Sequence, residues 1–459
     1  MPSHISYAQG SKVQSFQLFQ QAKEWIPGGV TANIKHFSPH PIFMKCAKGS
    51  KLIDVDGQEY IDYLLCYGAL ITGHGHQAVT NAVKEQLDQT GTTVFGTPHE
   101  LELTLAKKLV DLYPGIDMVR YTNSGLEATL LAIRLARAYT GKDKIGKFEG
   151  HYHGGFNHVL VSVNPELDDA GSKYEPIALQ NRVAFQKHEL KQTLVLPFND
   201  LQSTKNLLRK YASELAAVII EPVQGGFIRA EQEFIEGLRE ITEELNIVLI
   251  FDEVKTGFRV HLGGAQSVYG VKPDLTALGK VLGGGYPIGA LGGSKEMMML
   301  CAPTDESDVF SFGQSSRKKT DVVFHSGTYN GHPVVLAAGL ATISLLEENG
   351  VMEVLFAKTN HLRTALEKLY TTYQIPMHTC GMGSIFNLIF SKNPIRNYRD
   401  LWGTNHDLRM KIDMELLHQG IYIKPGNRYS MSISHTQQDI DKTVEAHEKA
   451  IKKVLSSGG

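Results

Sequence analysis

The chain has 459 residues, 42% of them hydrophobic, which is enough for a large core and more than one domain. Its 46 Lys and Arg nearly balance 48 Asp and Glu, and no basic cluster carries interleaved aromatics, so neither nucleic acid nor an anionic membrane is an expected partner. Cys46, Cys66, Cys301 and Cys380 lie far apart with no C-x-x-C pair, the N-terminus is polar, and no apolar run reaches the length of a membrane span, so a cytoplasmic protein with reduced thiols is expected.

Val13, Phe16, Phe19, Ala22 and Trp25 recur at helical spacing and predict a helix over 12–25, stopped before Pro27. The string KLIDVDGQEYIDYL predicts two short strands around Asp56-Gly57. Its D-x-D-G has the glycine too early for a calcium loop and lacks the later ligands. From about residue 76, helical stretches (77–89, 98–112, 125–140, 201–213, 234–245) alternate with β-branched runs (118–122, 144–148, 217–220, 247–251, 275–278). That alternation predicts an α/β fold, a mostly parallel sheet covered by helices on both faces. Residues 164–190 lack periodicity and read as a lid or a poorly ordered insertion. After about residue 334, helices at 334–348 and 352–371 precede short strands around 384–390 and 430–433. The expected division is an N-terminal segment, 1–75, joining a smaller α+β domain at 334–459, with a large domain at 76–333.

Ligands of such sheets bind beyond the carboxyl ends of the strands. There the runs AVIIEPV, IVLIFDEV and LTALGK end with Glu221, Asp252 and Lys280, and MVRYTNSG ends with Asn123, Ser124 and Gly125 at a helix start. Pyridoxal phosphate needs this set: an amine for its aldehyde, a buried carboxylate beside its pyridine nitrogen, and backbone N–H groups for its phosphate. Lys280, Asp252 and Ser124-Gly125-Leu126 supply them in turn. Taken singly, the lysine reads as a solvated turn residue and the D-E pair as a magnesium site, but no G-x-x-x-x-G-K-[ST] phosphate loop accompanies it.

The strings DVDGQEYIDY, GHGH, NSGLEAT, RLARAYTGKDKI, FEGHYHG, EPVQG, IFDEVKTGFR, DLTALGKVLGGGYPIGA and SGTYNGHP, in this order, resemble a class III (subgroup II) aminotransferase in the style of glutamate-1-semialdehyde 2,1-aminomutase. The resemblance runs from PGGV at 27–30 to SHTQQDI at 434–440. It implies the fold type I of pyridoxal-phosphate enzymes, with a sheet of the seven-stranded type, and a homodimer with active sites at the subunit interface. It also implies that Lys280 holds the cofactor as an imine, Asp252 pairs with the ring nitrogen, and the backbone of Ser124, Gly125 and Leu126 cradles the phosphate. Tyr152 would stack on the ring, Val254 would pack on its other face, and Thr328 would reach the phosphate of the partner subunit. Glu221 would lie near the substrate or the ring hydroxyl. His74 with His76, and His151 with His153, have metal-ligand spacing, but each pair lacks a third ligand and lies inside a family motif, so no metal is expected.

The chain departs from the aminomutase pattern at substrate contacts. Leu126 replaces the phosphate-site threonine, Lys35 replaces the arginine expected after PGGV, and Tyr67 stands in place of a tryptophan. The C-terminal loop KPGNRYSMSISH is shorter and has lost a glutamate. Arg428 in that loop is a candidate carboxylate clamp, with Lys35 and Tyr67 as further substrate contacts. The expected reaction moves an amino group between an amino acid, a β-amino acid among the possibilities, or an amine and a keto acceptor. The alternative is the intramolecular aminomutase.

Overall fold

The computed structural model describes residues 12–180, 187–303 and 322–456. Seven strands form the central sheet: β1 (Met118–Thr122), β2 (Lys144–Phe148), β3 (Thr193–Leu196), β4 (Leu215–Ile220), β5 (Val248–Asp252), β6 (Leu275–Gly279) and β7 (Gly289–Gly293). Their order is β1-β7-β6-β5-β4-β2-β3. Only β7 runs antiparallel to its neighbours, β1 and β6. Strands β4, β5 and β6 are buried along their whole length, as a sheet covered on both faces requires.

Five of these strands match expected runs within two residues, while β3 and β7 were not anticipated. The sequence of β7, GALGG, has low strand propensity for a packing reason. A Cβ on Gly289 would lie 2.1 Å from the Ser124 carbonyl oxygen, one on Gly292 2.5 Å from Ile116 Cδ1, and one on Gly293 2.5 Å from Leu275 Cδ2. Close approach of neighbouring chain excludes side chains there.

The helices covering the sheet follow the predicted spacing, although the one expected over 201–213 ends at Lys210. The Gly125–Thr140 helix begins at the end of β1 and buries Ala128, Leu131, Ala132 and Leu135. It stops on Gly141, whose left-handed φ of 68° closes the last turn.

The N-terminal strands Met44–Lys48, Lys51–Asp54 and Glu59–Asp62 pair antiparallel, and the distant strand Ile421–Tyr422 adds parallel to the last of them. A second antiparallel sheet joins His378–Met382, Ile385–Ile389 and Tyr429–Ser430. Helices Pro333–Glu347, Val351–Thr372, His406–His418 and Gln437–Ser456 complete this region, the last two unanticipated. One apolar cluster running through Leu105, Phe258, Leu282, Leu336, Leu362, Phe386 and Ile440 ties it to the large sheet. Among the described residues no single helix is long and apolar enough to cross a membrane.

Part of the stretch 164–190, residues 181–186, lies outside the described residues. The rest is tied down: Gly171–Ser172 pairs with Glu175–Pro176, and Arg399 donates to the carbonyls of Ala170 and Gly171 at 3.2 and 2.9 Å while gripping both oxygens of Glu149.

Candidate active site

The carboxyl ends of β1, β2, β4, β5 and β6 point the same way, and each delivers part of one site. Lys280 follows β6 directly and holds a left-handed φ of 47°. A non-glycine residue accepts that conformation only where its surroundings enforce it, and such strain gathers at functional positions. Loss of water on burial pushes the Lys280 ammonium down to about 7, Lys255 and Arg428 push the same way, and Asp252 and Glu221 oppose them.

Asp252, the last residue of β5, is 5% exposed. Its Oδ2 pairs with His153 Nδ1 at 2.8 Å, and its Oδ1 accepts the Val254 N–H at 3.1 Å. His153 is itself buried and its Nε2 has no partner among the described residues. The imidazole thereby fixes the direction of the carboxylate from behind.

Glu221, just beyond β4, is also buried. Its Oε2 accepts the Tyr152 N–H at 2.9 Å and its Oε1 pairs with Lys255 Nζ at 2.5 Å. Burial alone would raise this carboxyl, but Lys255, His151 and His153 outweigh it and hold the group well below the ordinary carboxylate range. Tyr152 stays 46% exposed, with Lys255 Nζ over its ring, 5.8 Å from the centroid.

The Gly125–Thr140 helix starts beside this group. Ser124 caps it, its Oγ accepting the Glu127 N–H at 3.2 Å, while the Glu127 carboxylate accepts the Asn123 N–H at 2.7 Å. The first-turn amides of Gly125 and Leu126 have no intrahelical acceptor and carry the positive end of the helix dipole. A Cβ on Gly125 would meet both Val254 methyls at 2.7 Å, so glycine lets Val254 seat against the helix start.

Tyr67 and Arg428 meet beside this group, and Lys35 lies near the same turn. The Tyr67 hydroxyl donates to the Ile34 carbonyl, and an Arg428 Nη donates to the Tyr67 carbonyl at 3.1 Å. Lys35 bonds Thr31 Oγ1 at 2.7 Å and contributes to the field at Cys66, which also feels Lys280. Tyr67 lies in a turn where Leu65, Cys66 and Tyr67 all have positive φ, 46°, 51° and 56°. The turn is held by Asp62 Oδ1, which accepts the N–H groups of Leu64 and Leu65 at 2.8 and 3.0 Å, and by Arg259 Nε, which donates to the Gly68 carbonyl at 2.9 Å.

Thr328 stands apart, exposed on a cleft of about 710 Å³ with Phe95, His99, Arg120 and Asn330. Asn330 Oδ1 accepts from Asn123 Nδ2 at 3.0 Å and so links that segment to the helix start. Three of the four histidines of those pairs have other partners: His74 bonds Asp62 at 2.8 Å, His151 Nδ1 accepts the Glu221 N–H at 3.1 Å, and His153 holds Asp252. Among the described residues no three His, Cys, Asp or Glu are placed to share a metal ion. Sequence reasoning gave His153 only a metal's spacing and gave Lys255 no role. The signal for both was position, each lying within a few residues of a strand end.

A phosphate-bearing pyridine aldehyde fits this arrangement. The strained Lys280, the oriented carboxylate of Asp252, the glycine-started helix and the half-exposed Tyr152 lie together at the strand ends. The class-III aminotransferase model matches residues 33–451. A glutamate-1-semialdehyde 2,1-aminomutase of Ignicoccus hospitalis is 41% identical over 96% of this chain and 99% of its own. Among solved structures, an omega-transaminase from Sphaerobacter thermophilus superimposes with a TM-score of 0.89 at 34% identity, covering 97% of this chain and 98% of that one. A beta-phenylalanine aminotransferase from Variovorax paradoxus gives 0.82 at 30% identity, covering 97% and 95%.

Proposed function

The chain belongs to the class-III aminotransferases, enzymes dependent on pyridoxal phosphate, and we propose that its substrate is a carboxylate-bearing amino acid whose amino group passes to a separate keto acceptor. The observation that carries this reading is Arg428. Its guanidinium sits beside the strand-end group, bonded to the Tyr67 carbonyl and within the charge field of both Lys280 and Glu221. A planar fork of donors at that place suits a carboxylate, and Lys35 lies near the same turn. The omega-transaminase and beta-phenylalanine aminotransferase named above superimpose on nearly all of the chain, so the fold suits the intermolecular reaction.

Each residue then has a task. The bound cofactor supplies an aldehyde that accepts the amino group and a ring that withdraws electrons. Lys280 would hold it covalently and afterwards move a proton at the substrate's amino-bearing carbon through Nζ. Asp252, steadied by His153, would keep a proton on the ring nitrogen. The amides of Gly125 and Leu126 would bind the phosphate, Tyr152 and Val254 would pack on the two ring faces, and Glu221 would border the ring from the β4 side. Ser124 shapes the helix start, its Oγ accepting the Glu127 N–H as the cap, and its backbone N–H and hydroxyl proton would join the two amides at the phosphate.

The enzyme would work as a homodimer in the cytoplasm, Thr328 completing the phosphate site of the partner subunit. Phe95, 44% exposed on the Thr328 cleft, and Tyr329 next to Thr328 in the chain, 58% exposed, are suited to burial by a second copy.

The curated relative's name supports a second reading, the intramolecular rearrangement of glutamate 1-semialdehyde. One experiment separates them. The purified enzyme is given amino donors with 2-oxoglutarate or pyruvate, and separately glutamate 1-semialdehyde with no acceptor. Amino transfer to the added oxo acid is the expected result. Turnover confined to the semialdehyde without an acceptor would establish the second reading and end the first.

A further inference from the structure

Lys255 lies three residues past the end of β5, among charged groups from every neighbouring element. We propose that Lys255 is a positioning residue of this active site: its ammonium locks Glu221 onto the Tyr152 backbone and sets a fixed positive charge against Lys280.

The geometry supports the first part directly, and for the second it puts Lys255 and Lys280 each three residues beyond one paired rung of adjacent strands, Asp252 with Ala277. Lys255 Nζ and Glu221 Oε1 are 2.5 Å apart, with side chains 14% and 3% exposed. A charge pair this shielded is screened far less than one in water. The other oxygen of the same carboxylate holds the Tyr152 N–H at 2.9 Å. A chain of contacts therefore runs from Lys255 through Glu221 to the backbone of Tyr152. The ammonium also lies above that residue's ring, 5.8 Å from its centroid, where the aromatic face attracts a cation. With Lys255 removed, Glu221 would keep only backbone N–H partners and the field of the two neighbouring histidines.

The charges around Lys280 complete the argument. Asp252 and Lys255 reach it from the end of β5, Glu221 from the end of β4, Arg428 from the C-terminal loop, and the Cys66 thiol from the 65–68 turn. Lys255 is the foremost of the cations that disfavour a proton on Lys280, whose ammonium is pushed down to about 7. A lysine that works as nucleophile and base at neutral pH must spend much of its time uncharged. Desolvation alone leaves that state dependent on how open the site is. A fixed cation held by a buried carboxylate supplies the same bias whether or not the site is filled.

The proposal rests on Lys280 being the reacting amine, and the test is read on that amine directly, independent of any substrate. The full chain, stripped of cofactor, is labelled with a trace of acetic anhydride across a pH series, and the peptide carrying Lys280 is quantified by mass spectrometry. Lys255→Gln keeps a donor for Glu221 but removes the charge. It should move the Lys280 midpoint upward and cut labelling at pH 6 roughly three- to tenfold, one unit of proton affinity being about tenfold there. Lys255→Arg should restore the native midpoint, and Glu221→Gln should move it the other way. In the holoenzyme, the acid limb of the kcat profile of Lys255→Gln should shift toward higher pH in parallel. A Lys280 midpoint unmoved in Lys255→Gln, or displaced as far in Lys255→Arg, would overturn the proposal and leave Lys255 a structural partner of Glu221.

Discussion

Gly125 offers the sharpest test of how the phosphate end of the site is built. It is the first residue of the helix that follows β1, and an added Cβ would sit 2.7 Å from both methyls of Val254 and 3.3 Å from its Cβ. Valine is stiff at χ1 and cannot swing its methyls clear. Either Val254 or the helix start must therefore move in Gly125→Ala, and overpacking of this kind costs about 1–3 kcal/mol. The displaced amides are those that would hold the phosphate, so the cost should fall on cofactor binding, weakening it roughly 5- to 150-fold. The assay is an equilibrium titration of the cofactor-free chain with pyridoxal phosphate, followed by visible absorbance. Val254→Ala alone should weaken binding by losing its own ring contact, but because it removes the clashing methyls, adding Gly125→Ala to it should cost little more, a coupling that a double-mutant cycle reads directly. Gly141→Ala, at the far end of the same helix, is the control. Nothing lies within 4 Å of its added Cβ, and its left-handed φ of 68° should cost about 1–2 kcal/mol of stability without touching cofactor affinity. The reasoning fails if Gly125→Ala binds the cofactor as tightly as the native chain, or if it costs as much in the Val254→Ala background as in the native one.

Lys280→Ala should fold, bind cofactor without covalent attachment and show no turnover, whereas borohydride reduction of the native enzyme should fix the cofactor on Lys280; label on another lysine would refute the assignment. Arg428→Ala should raise KM for an amino acid far more than for its decarboxylated amine, with about one to two decades lost in kcat/KM. Lys35→Ala should do less, and equal losses on both substrates would mean that neither residue reads the carboxylate. Burial pushes His435 down to about 4 and His447 down to about 3, both below the unfolded value of about 6.5. Their neutral forms stabilise the fold fully above pH about 6.5, and that stability drains away as pH falls toward those lower values, by about 1.4 kcal/mol per pH unit for each proton taken up on unfolding. Urea midpoints should therefore drop between pH 7 and 5, less steeply in His447→Gln, and a flat profile would count against buried neutral histidines.

What could be read from the sequence, and what could not, divides along a physical line. Strands β4, β5 and β6 were legible because burial on both faces writes them as unbroken apolar runs, and a charged residue directly after such a run stands out. Glu221, Asp252 and Lys280 were visible for that reason. The helix at Gly125 was legible because its start carries its own cap and its end its own glycine. β7 was not, since tertiary crowding forces glycine where propensity would ask for branched side chains. The turn 65–68 was hidden for the opposite reason. Leu65, Cys66 and Tyr67 take left-handed conformations that no local rule assigns them, at a cost of roughly 1–2 kcal/mol each. Bonds from Asp62 and Arg259 hold the turn, and Arg428 bonds the carbonyl of Tyr67 within it. Lys255 follows the same logic, because its meaning depends on Glu221 at the end of another strand. Local signals thus mark where the chain delivers its chemistry. The contacts that aim that chemistry are long-range, and they are concentrated where local preference has been overruled.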